Sequence, residues 1–224
     1  MTNTRLPRTF RLSAARRLVI IAPHPDDETL GCGLLIADAV RKGVNVAVVV
    51  LTDGQAEHPD SRRWPAAALG ALRRSELRRA MARLGARRSA MRSMGWRDGQ
   101  LDQTGSALRL RAVLHTLRAD VVVAASPDDH HPDHRAGWRL AVAATRKTGM
   151  VLMPYAVWSR LETAPQGRVR DAGSAAKNWA MRAYRSQISG YIADDPDDPD
   201  GFRFAAAPLK RLLQEAETLK AQCR

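Results

Sequence analysis

The chain is poor in cysteine and lysine and has no long apolar run. Its two cysteines, Cys32 and Cys223, stand far apart in 224 residues, and neither belongs to a Cys-x-x-Cys pair, which argues against structural sulfur. Cys32 falls at the start of a predicted helix, where a small packed residue is expected in preference to a thiol activated by the helix terminus. No stretch approaches the roughly 20 apolar residues of a membrane-spanning helix. The basic N-terminus, MTNTRLPRTFRLSAARR, lacks the uninterrupted apolar segment of a secretory signal. A cytoplasmic protein without a transmembrane segment is expected.

Only five lysines, Lys42, Lys147, Lys177, Lys210 and Lys220, occur among 36 basic residues, which outnumber 23 acids for a formal net charge of +13. Such an excess raises nucleic acid, membrane surfaces and acidic substrates as partners; the arginine bias fits codon composition as well as phosphate recognition. It is densest from Arg62 to Arg97, where eleven arginines meet one acid, Glu76. The helical pattern there reads first as a solvated basic face and second as a polyanion site. The acidic, proline-broken DDPDDPD at 194–200 reads as a surface loop.

At this length one domain, residues 1–224, is the default. Apolar β-branched runs alternate with helical patterns: strand 17–22, helix 29–41, strand 44–51, helix 69–84, a weak strand near 90–95, helix 106–118, strand 120–125, helix 133–147, strand 150–157 and helix 175–187. That alternation predicts an α/β, Rossmann-like, mostly parallel sheet with helices on both faces. Leu77, Ala80, Met81 and Leu84, and again Leu110, Val113, Leu114 and Leu117, form apolar stripes at helical spacing, with Arg73 and Glu76 pointing away from the first. Beyond residue 190 the pattern weakens, and only LKRLLQEAETLKA again reads as helix.

Three predicted strands end on polar segments: Ala22 into PHPDDE, Leu51 into TDGQAEH and Ala125 into SPDDHHPDH. Ligand crevices of open α/β sheets lie beyond the carboxyl ends of the strands, so these loops are expected to share one rim. His24 and Asp27 are three apart, as are His131 and His134, each pair at a loop-to-helix turn. That spacing lets side chains converge on one ion, and imidazole with carboxylate is the ligand chemistry of catalytic zinc, with iron or cobalt also admitted. Either loop alone reads as an Asp-capped helix start; two such loops on one rim point to a metal.

APHPDDETLGCG followed by HHPDHRAG resembles the LmbE/PIG-L family of zinc-dependent N-acetylglucosamine deacetylases. Further similarities are LTDG after the second strand, RRSELRRAMARLG, GWRDG at 95–99 and AYRSQ at 183–187, so the likeness runs from about residue 16 to 190. The resemblance implies a zinc or other divalent transition metal such as Fe2+ held by His24, Asp27 and His134. It implies Asp26 as general base, His131 as the group that stabilises the oxyanion or protonates the amine, and Asp133 as the carboxylate orienting it. Arg73 and Asp98 match sugar-binding positions. The implied substrate is a small-molecule or lipid-linked amino-sugar conjugate, and a homo-oligomer is common in such enzymes.

The residue types support that chemistry independently: a metal polarises an amide and acidifies water, a carboxylate takes the proton, and an imidazole supports the oxyanion. The rival reading is a basic nucleic-acid-binding protein or metal-dependent phosphodiesterase. Against it, such sites bind magnesium through oxygens, and no aromatic-basic interleaving is present. A third reading is a family member that binds a glycan without hydrolysis. Arg73 and Arg74 near the rim suggest an acidic or phosphorylated aglycone. Trp96, Tyr155 and Trp158 suit either a sugar pocket or the core; His115 is expected to be packed; Glu28 is expected to favour the first helix's N-terminal dipole, and Asp53 to serve a turn with Gly54.

Overall fold

The computed structural model describes residues 15–87, 89–158, 167–169, 174–188, 213 and 217–219. Five strands, β1 (Arg17–Ala22), β2 (Asn45–Thr52), β3 (Ala90–Trp96), β4 (Val121–Ala125) and β5 (Val151–Tyr155), pair in parallel in the order β3-β2-β1-β4-β5. The helices are α1 (Asp27–Arg41), α2 (Ala66–Arg83), α3 (Leu101–Thr104), α4 (Ala107–Thr116), α5 (Pro132–Thr145), α6 (Ser174–Met181) and α7 (Arg185–Ile188). The expected α/β class is borne out.

Strand pleating sorts the core. Leu18, Ile20, Val46, Val48, Val50, Val121 and Val123 pack on one face with Leu77, Ala80, Met81 and Leu84 of the α2 region and with α1 and α6. Val19, Ile21, Ala47, Val49, Val122 and Ala124 point to the other face, against Leu110 and Leu114 of α4 and Ala136, Trp138, Ala141 and Ala144 of α5. Side chains alternate across a strand, so a run of β-branched residues fills both faces at once. Each fully buried Val, Leu or Ile contributes about 1.5–3 kcal/mol, which is why these strands are legible in the sequence.

The strand order reverses at β1: the chain winds outward through β2 and β3, then crosses to β4 on the other side. A crevice opens at such a switch point, beyond the strand ends. The histidine- and aspartate-rich loops follow β1 and β4, the two strands that flank it. Among the described residues no helix is long and apolar enough to cross a membrane.

Several elements differ from expectation. Glu217–Leu219, inside the segment that reads as helix, is a strand, β7. It pairs antiparallel with β5 and with β6 (Gly167–Val169), itself too short to leave a pattern in sequence. An unpaired edge of β5 outweighs the helical preference of three residues. The helix expected over 175–187 divides into α6 and α7, because tight turns place Ala183 N–H on Ala180 O and Tyr184 N–H on Met181 O and bring Tyr184 fully inside. Arg73 and Glu76 are buried rather than solvated, and His115 is exposed rather than packed. The 194–200 loop, the N-terminal 14 residues and Cys223 lie outside the described residues.

Candidate active site

The loop after β1 is tied to β2 by Thr52, whose N–H and hydroxyl both donate to Pro23 O, at 2.9 and 3.1 Å. The backbone then turns sharply into α1 at Asp26, a non-glycine residue at φ 124°. Such a conformation costs of order 1–3 kcal/mol and persists only where the surroundings over-determine it. Its determinants are visible. Asp26 N–H donates to Glu28 Oε2 at 3.0 Å, and Asp26 O accepts from the N–H groups of Thr29 and Leu30 at 2.9 and 2.8 Å. Asp26 and Asp27 are thereby presented together at the helix start, both nearly fully buried.

The loop after β4 enters α5 with His131, rather than an aspartate, as N-cap and with Pro132 in the first turn, the position where a helix favours proline. His131 Nδ1 accepts from Asp133 N–H at 3.2 Å. The next turn carries His134, whose Nδ1 lies 3.2 Å from Asp129 Oδ2 and whose Nε2 faces Asp27 Oδ2 at 3.2 Å. His24 is arranged the same way: Nδ1 lies 3.3 Å from Asp27 Oδ2, while Nε2 faces Asp98 and Asp133 at 3.1 and 3.4 Å. The rings of His24, His131 and His134 sit with centroids 4.9–5.6 Å apart.

This donor set fits a divalent transition metal. Two imidazole nitrogens and one carboxylate oxygen converge, and each of the two histidines has a carboxylate behind its other nitrogen, the arrangement that fixes tautomer and orientation at metal sites. The ligand atoms of His24, His131 and His134 also lie within 4.8 Å of one another, so His131 borders the same point. Asp98 and Asp133 group around His24 as well; they bond its outer nitrogen and serve as its support.

Electrostatics agree. Burial disfavours charge on Asp27, but His134 and His24 hold its carboxyl far below the usual range. Burial opposes charge on His134 too, yet Asp27 and Asp129 push its pKa up to about 9, and Asp133, Asp27 and Asp98 raise that of His24. The acids therefore demand positive charge, supplied either by two protons or by one divalent ion. Asp98 is pulled to about 2 by His24 against its burial. His131 differs: burial and the neighbouring His24 and His134 lower its pKa, in keeping with Nδ1 accepting from the Asp133 amide. Burial raises the Asp26 carboxyl well above its ordinary value, with Arg73 pulling it back and Asp27 and Glu57 pushing it further up.

Three expectations are corrected. The Asp133 carboxylate does not orient His131. It accepts from Gly99 N–H at 2.8 Å and Leu101 N–H at 3.2 Å and faces His24, because a residue in the first turn of α5 reaches the β3–α3 loop rather than back to its own cap. Arg73 is not at the surface to meet substrate: it is fully buried, Nη2 donating to Pro25 O at 2.9 Å and pairing with Asp26 at 3.3 Å, Nη1 on Gly54 O at 3.1 Å and on Glu57 at 2.6 Å. Arg74 is paired with Asp53, so neither arginine offers an anion site. Gly54 makes room for this: at φ +64°, a Cβ there would lie 1.7 Å from Arg73 Nη1.

The pocket is lined by His24, Asp26, Asp27, Glu57, Asp98, His131, His134 and Trp158. Asp98 thus reaches the pocket, though its carboxylate also holds Ala56 N–H at 3.0 Å and His24. Of the three aromatics weighed for a sugar pocket, Trp158 lines it, and Trp96 and Tyr155 belong to the core. Glu57 was missed; within TDGQAEH no periodicity marks it, and only its pairing with Arg73 and Gln187 does. Asp129, which nothing in SPDDHHPDH distinguishes from its acidic neighbour, is buried and also accepts from Trp158 N–H at 3.1 Å. Cys32 is fully buried in the core, where burial raises its thiol pKa, as expected of a packed residue. Arg62, Arg63, Arg78, Arg79, Arg87, Arg92 and Arg97 are exposed, the solvated basic face expected.

Fold and site together define a Rossmann-like α/β protein with a candidate histidine–aspartate metal site at its switch point. A family model described as PIG-L, GlcNAc-PI de-N-acetylase, matches residues 19–145, and the chain belongs to that family. A Mycobacterium sp. (strain KMS) protein named 1D-myo-inositol 2-acetamido-2-deoxy-alpha-D-glucopyranoside deacetylase is 31% identical over 188 residues, covering 72% of this chain and 59% of the relative. The chain spans little more than half the length of the curated relatives it matches. Among solved structures, a conserved protein from Thermus thermophilus has 28% identity and a TM-score of 0.68, covering 92% of this chain and 94% of its own. The N,N'-diacetylchitobiose deacetylase from Pyrococcus horikoshii, 23% identical, shares the fold at a TM-score of 0.74, covering 93% of this chain and 84% of its own.

Proposed function

We propose that this chain is a metal-dependent N-deacetylase that hydrolyses the acetamido group of an N-acetylglucosamine-type conjugate. The observation that carries the reading is the convergence of His24 Nδ1, His134 Nε2 and Asp27 Oδ2 within 3.3 Å contacts, with Asp26 next in sequence and His131 adjoining. His24, Asp27 and His134 would hold the ion, zinc by preference for two imidazoles and a carboxylate. When bound, such an ion polarises an amide carbonyl and lowers the pKa of water toward about 7.

The chain's own groups supply the rest. Asp26, kept basic by burial, takes the proton of the attacking water and returns it to the departing amine. His131 has its Nδ1 committed to the Asp133 amide, which leaves Nε2–H as a neutral donor aimed at the developing oxyanion. Asp133 holds the loop after β3 through Gly99 and Leu101, and Asp98 and Asp133 together fix the ring of His24. Trp158 and Glu57 border the pocket where a sugar would lie, an apolar face and a hydroxyl acceptor. Two imidazole ligands differ from the all-oxygen magnesium sites of carboxylate-rich nucleases, which supports the deacetylase over the nucleic-acid reading. The named relatives make the inositol-linked N-acetylglucosamine their substrate, and it is the first conjugate to try.

The test is acetate release from that conjugate by zinc-loaded protein, with metal content measured in parallel. Asp26→Asn should keep about one metal per chain and lose turnover by about 10²-fold or more; His134→Ala should lose both. Full turnover in Asp26→Asn would remove that residue from its role, and a metal-free, folded wild type that takes up no zinc would overturn the mechanism.

A further inference from the structure

The motif AYRSQ, with the helix before it, takes no part in the chemistry above, yet it meets four buried or half-buried glutamates, Glu28, Glu57, Glu76 and Glu217. Tyr184 OH donates to Glu28, Ser186 N–H and Oγ to Glu76 at 2.9 and 2.5 Å, and Gln187 Nε2 to Glu57 at 2.8 Å. Earlier, on α6, Lys177 Nζ donates to Leu30 O at 2.6 Å and pairs with Glu217 at 3.0 Å. Tyr184 and Lys177 are both essentially fully buried.

Two of these contacts converge on one residue. Glu28, held at Oε1 by Tyr184 OH and by the neighbouring Thr29 hydroxyl, accepts Asp26 N–H at Oε2; of the two, Tyr184 alone comes from outside α1. Leu30, whose carbonyl is held by Lys177, donates its own N–H to Asp26 O at 2.8 Å. The amide and the carbonyl of Asp26 are therefore each one side chain or one residue away from the 177–184 segment. Glu217 completes the brace by accepting from Leu34 N–H and Leu35 N–H at 2.7 and 2.8 Å. Leu30 O and Leu34 N–H are the two halves of one helical rung, and both have a charged side-chain partner. A buried Lys–Glu pair is weak evidence for stability; its placement along α1, with Lys177 on the carbonyl of the residue whose N–H bonds Asp26 O, gives it another use.

We propose that Tyr184 and Lys177 are positioning residues that hold Asp26 in its strained conformation at φ 124° and so set the geometry of the acidic turn. The effect on turnover rests on the reading of Asp26 as the general base; the effect on the turn itself does not. Strain of this kind relaxes when one of its determinants is removed, and a small displacement of a reacting group costs up to about a hundredfold in rate.

The experiment compares Tyr184→Phe and Lys177→Met with Ser186→Ala, which alters the same segment at Glu76, away from Asp26. Hydrogen–deuterium exchange by mass spectrometry follows the peptide over residues 23–33, and acetate release from the inositol-linked conjugate follows turnover. Tyr184→Phe should speed exchange in that peptide and lower kcat roughly tenfold to a hundredfold with KM within about twofold, whereas Ser186→Ala should do neither. If Lys177→Met fails to fold, Tyr184→Phe decides the matter. Unchanged exchange in Tyr184→Phe, or equal loosening by Ser186→Ala, overturns the proposal; faster exchange with full kcat keeps the brace and overturns the reading of Asp26 as general base. A wild type that releases no acetate while Tyr184→Phe alone loosens the peptide would defeat the deacetylase reading and keep the brace.

Discussion

Replacing Arg73 by Met tests the electrostatics of the site most directly. The guanidinium is fully buried between two carboxylates, Asp26 and Glu57, and also fills hydrogen bonds to Pro25 O and Gly54 O. Methionine keeps much of the volume and removes the charge, leaving the buried Asp26 carboxylate and the half-buried Glu57 carboxylate without it. Breaking a buried pair in this way costs about 3–5 kcal/mol. Burial already raises the Asp26 carboxyl and Arg73 opposes that rise, so the variant raises it further. Between the unfolded value of about 3.9 and the raised native value, the folded protein holds a proton that the unfolded chain has released. Stability therefore falls as pH rises through that window. Urea unfolding in the presence of a chelator should show a deficit of about 3–5 kcal/mol near pH 7 that narrows toward pH 4. Adding Glu57→Gln should return about 1–3 kcal/mol, the coupling of residues in direct contact. Gly54→Ala should approach the same phenotype from the backbone side, since its Cβ would meet Nη1 at 1.7 Å and its φ is +64°. An Arg73→Met protein within about 1 kcal/mol of wild type at pH 7, or a deficit independent of pH, would refute the account.

Two further outcomes are expected. In the metal-free protein the native pKa of His134, about 9 against an ordinary 6.5, gives stabilisation that is complete below about pH 6.5 and lost as pH rises through 9. A ligating nitrogen must shed that proton, so zinc uptake at pH 7 should release about one proton or more, read as a buffer-dependent enthalpy in titration calorimetry; no dependence on buffer would exclude His134 as a ligand. Asp129→Asn, which weakens the support behind His134 Nδ1, should lower zinc affinity about 10–100-fold in competition with a chromophoric chelator, and unchanged affinity would remove Asp129 from the metal's support.

Much of this protein was legible in the chain itself. Runs such as Val46–Leu51 and Val121–Ala125 mark interior parallel strands because a β-branched residue satisfies either face. The stripes of α2 and α4 announce the buried sides of those helices at the spacing that any helix imposes. With strands and helices alternating, the loops after β1 and β4 had to share one rim, which is why His24, Asp27, His131 and His134 could be grouped before any coordinates. Residue chemistry and local period are properties of neighbours in sequence, and they carry over intact.

What the tertiary structure decided is which group faces which. That Asp133 faces His24 and the β3–α3 loop rather than His131, that Arg73 pairs with Asp26 from inside, and that Glu57 meets Arg73, Asp129 meets His134 and Tyr184 meets Glu28 are facts about partners up to 156 residues apart. A strand replaced part of an expected helix at 217–219 for the same reason. Direction of a buried polar side chain is chosen by desolvation: each must find the one partner that packing brings within about 3 Å, and packing exists only once the whole sheet has closed around its switch point.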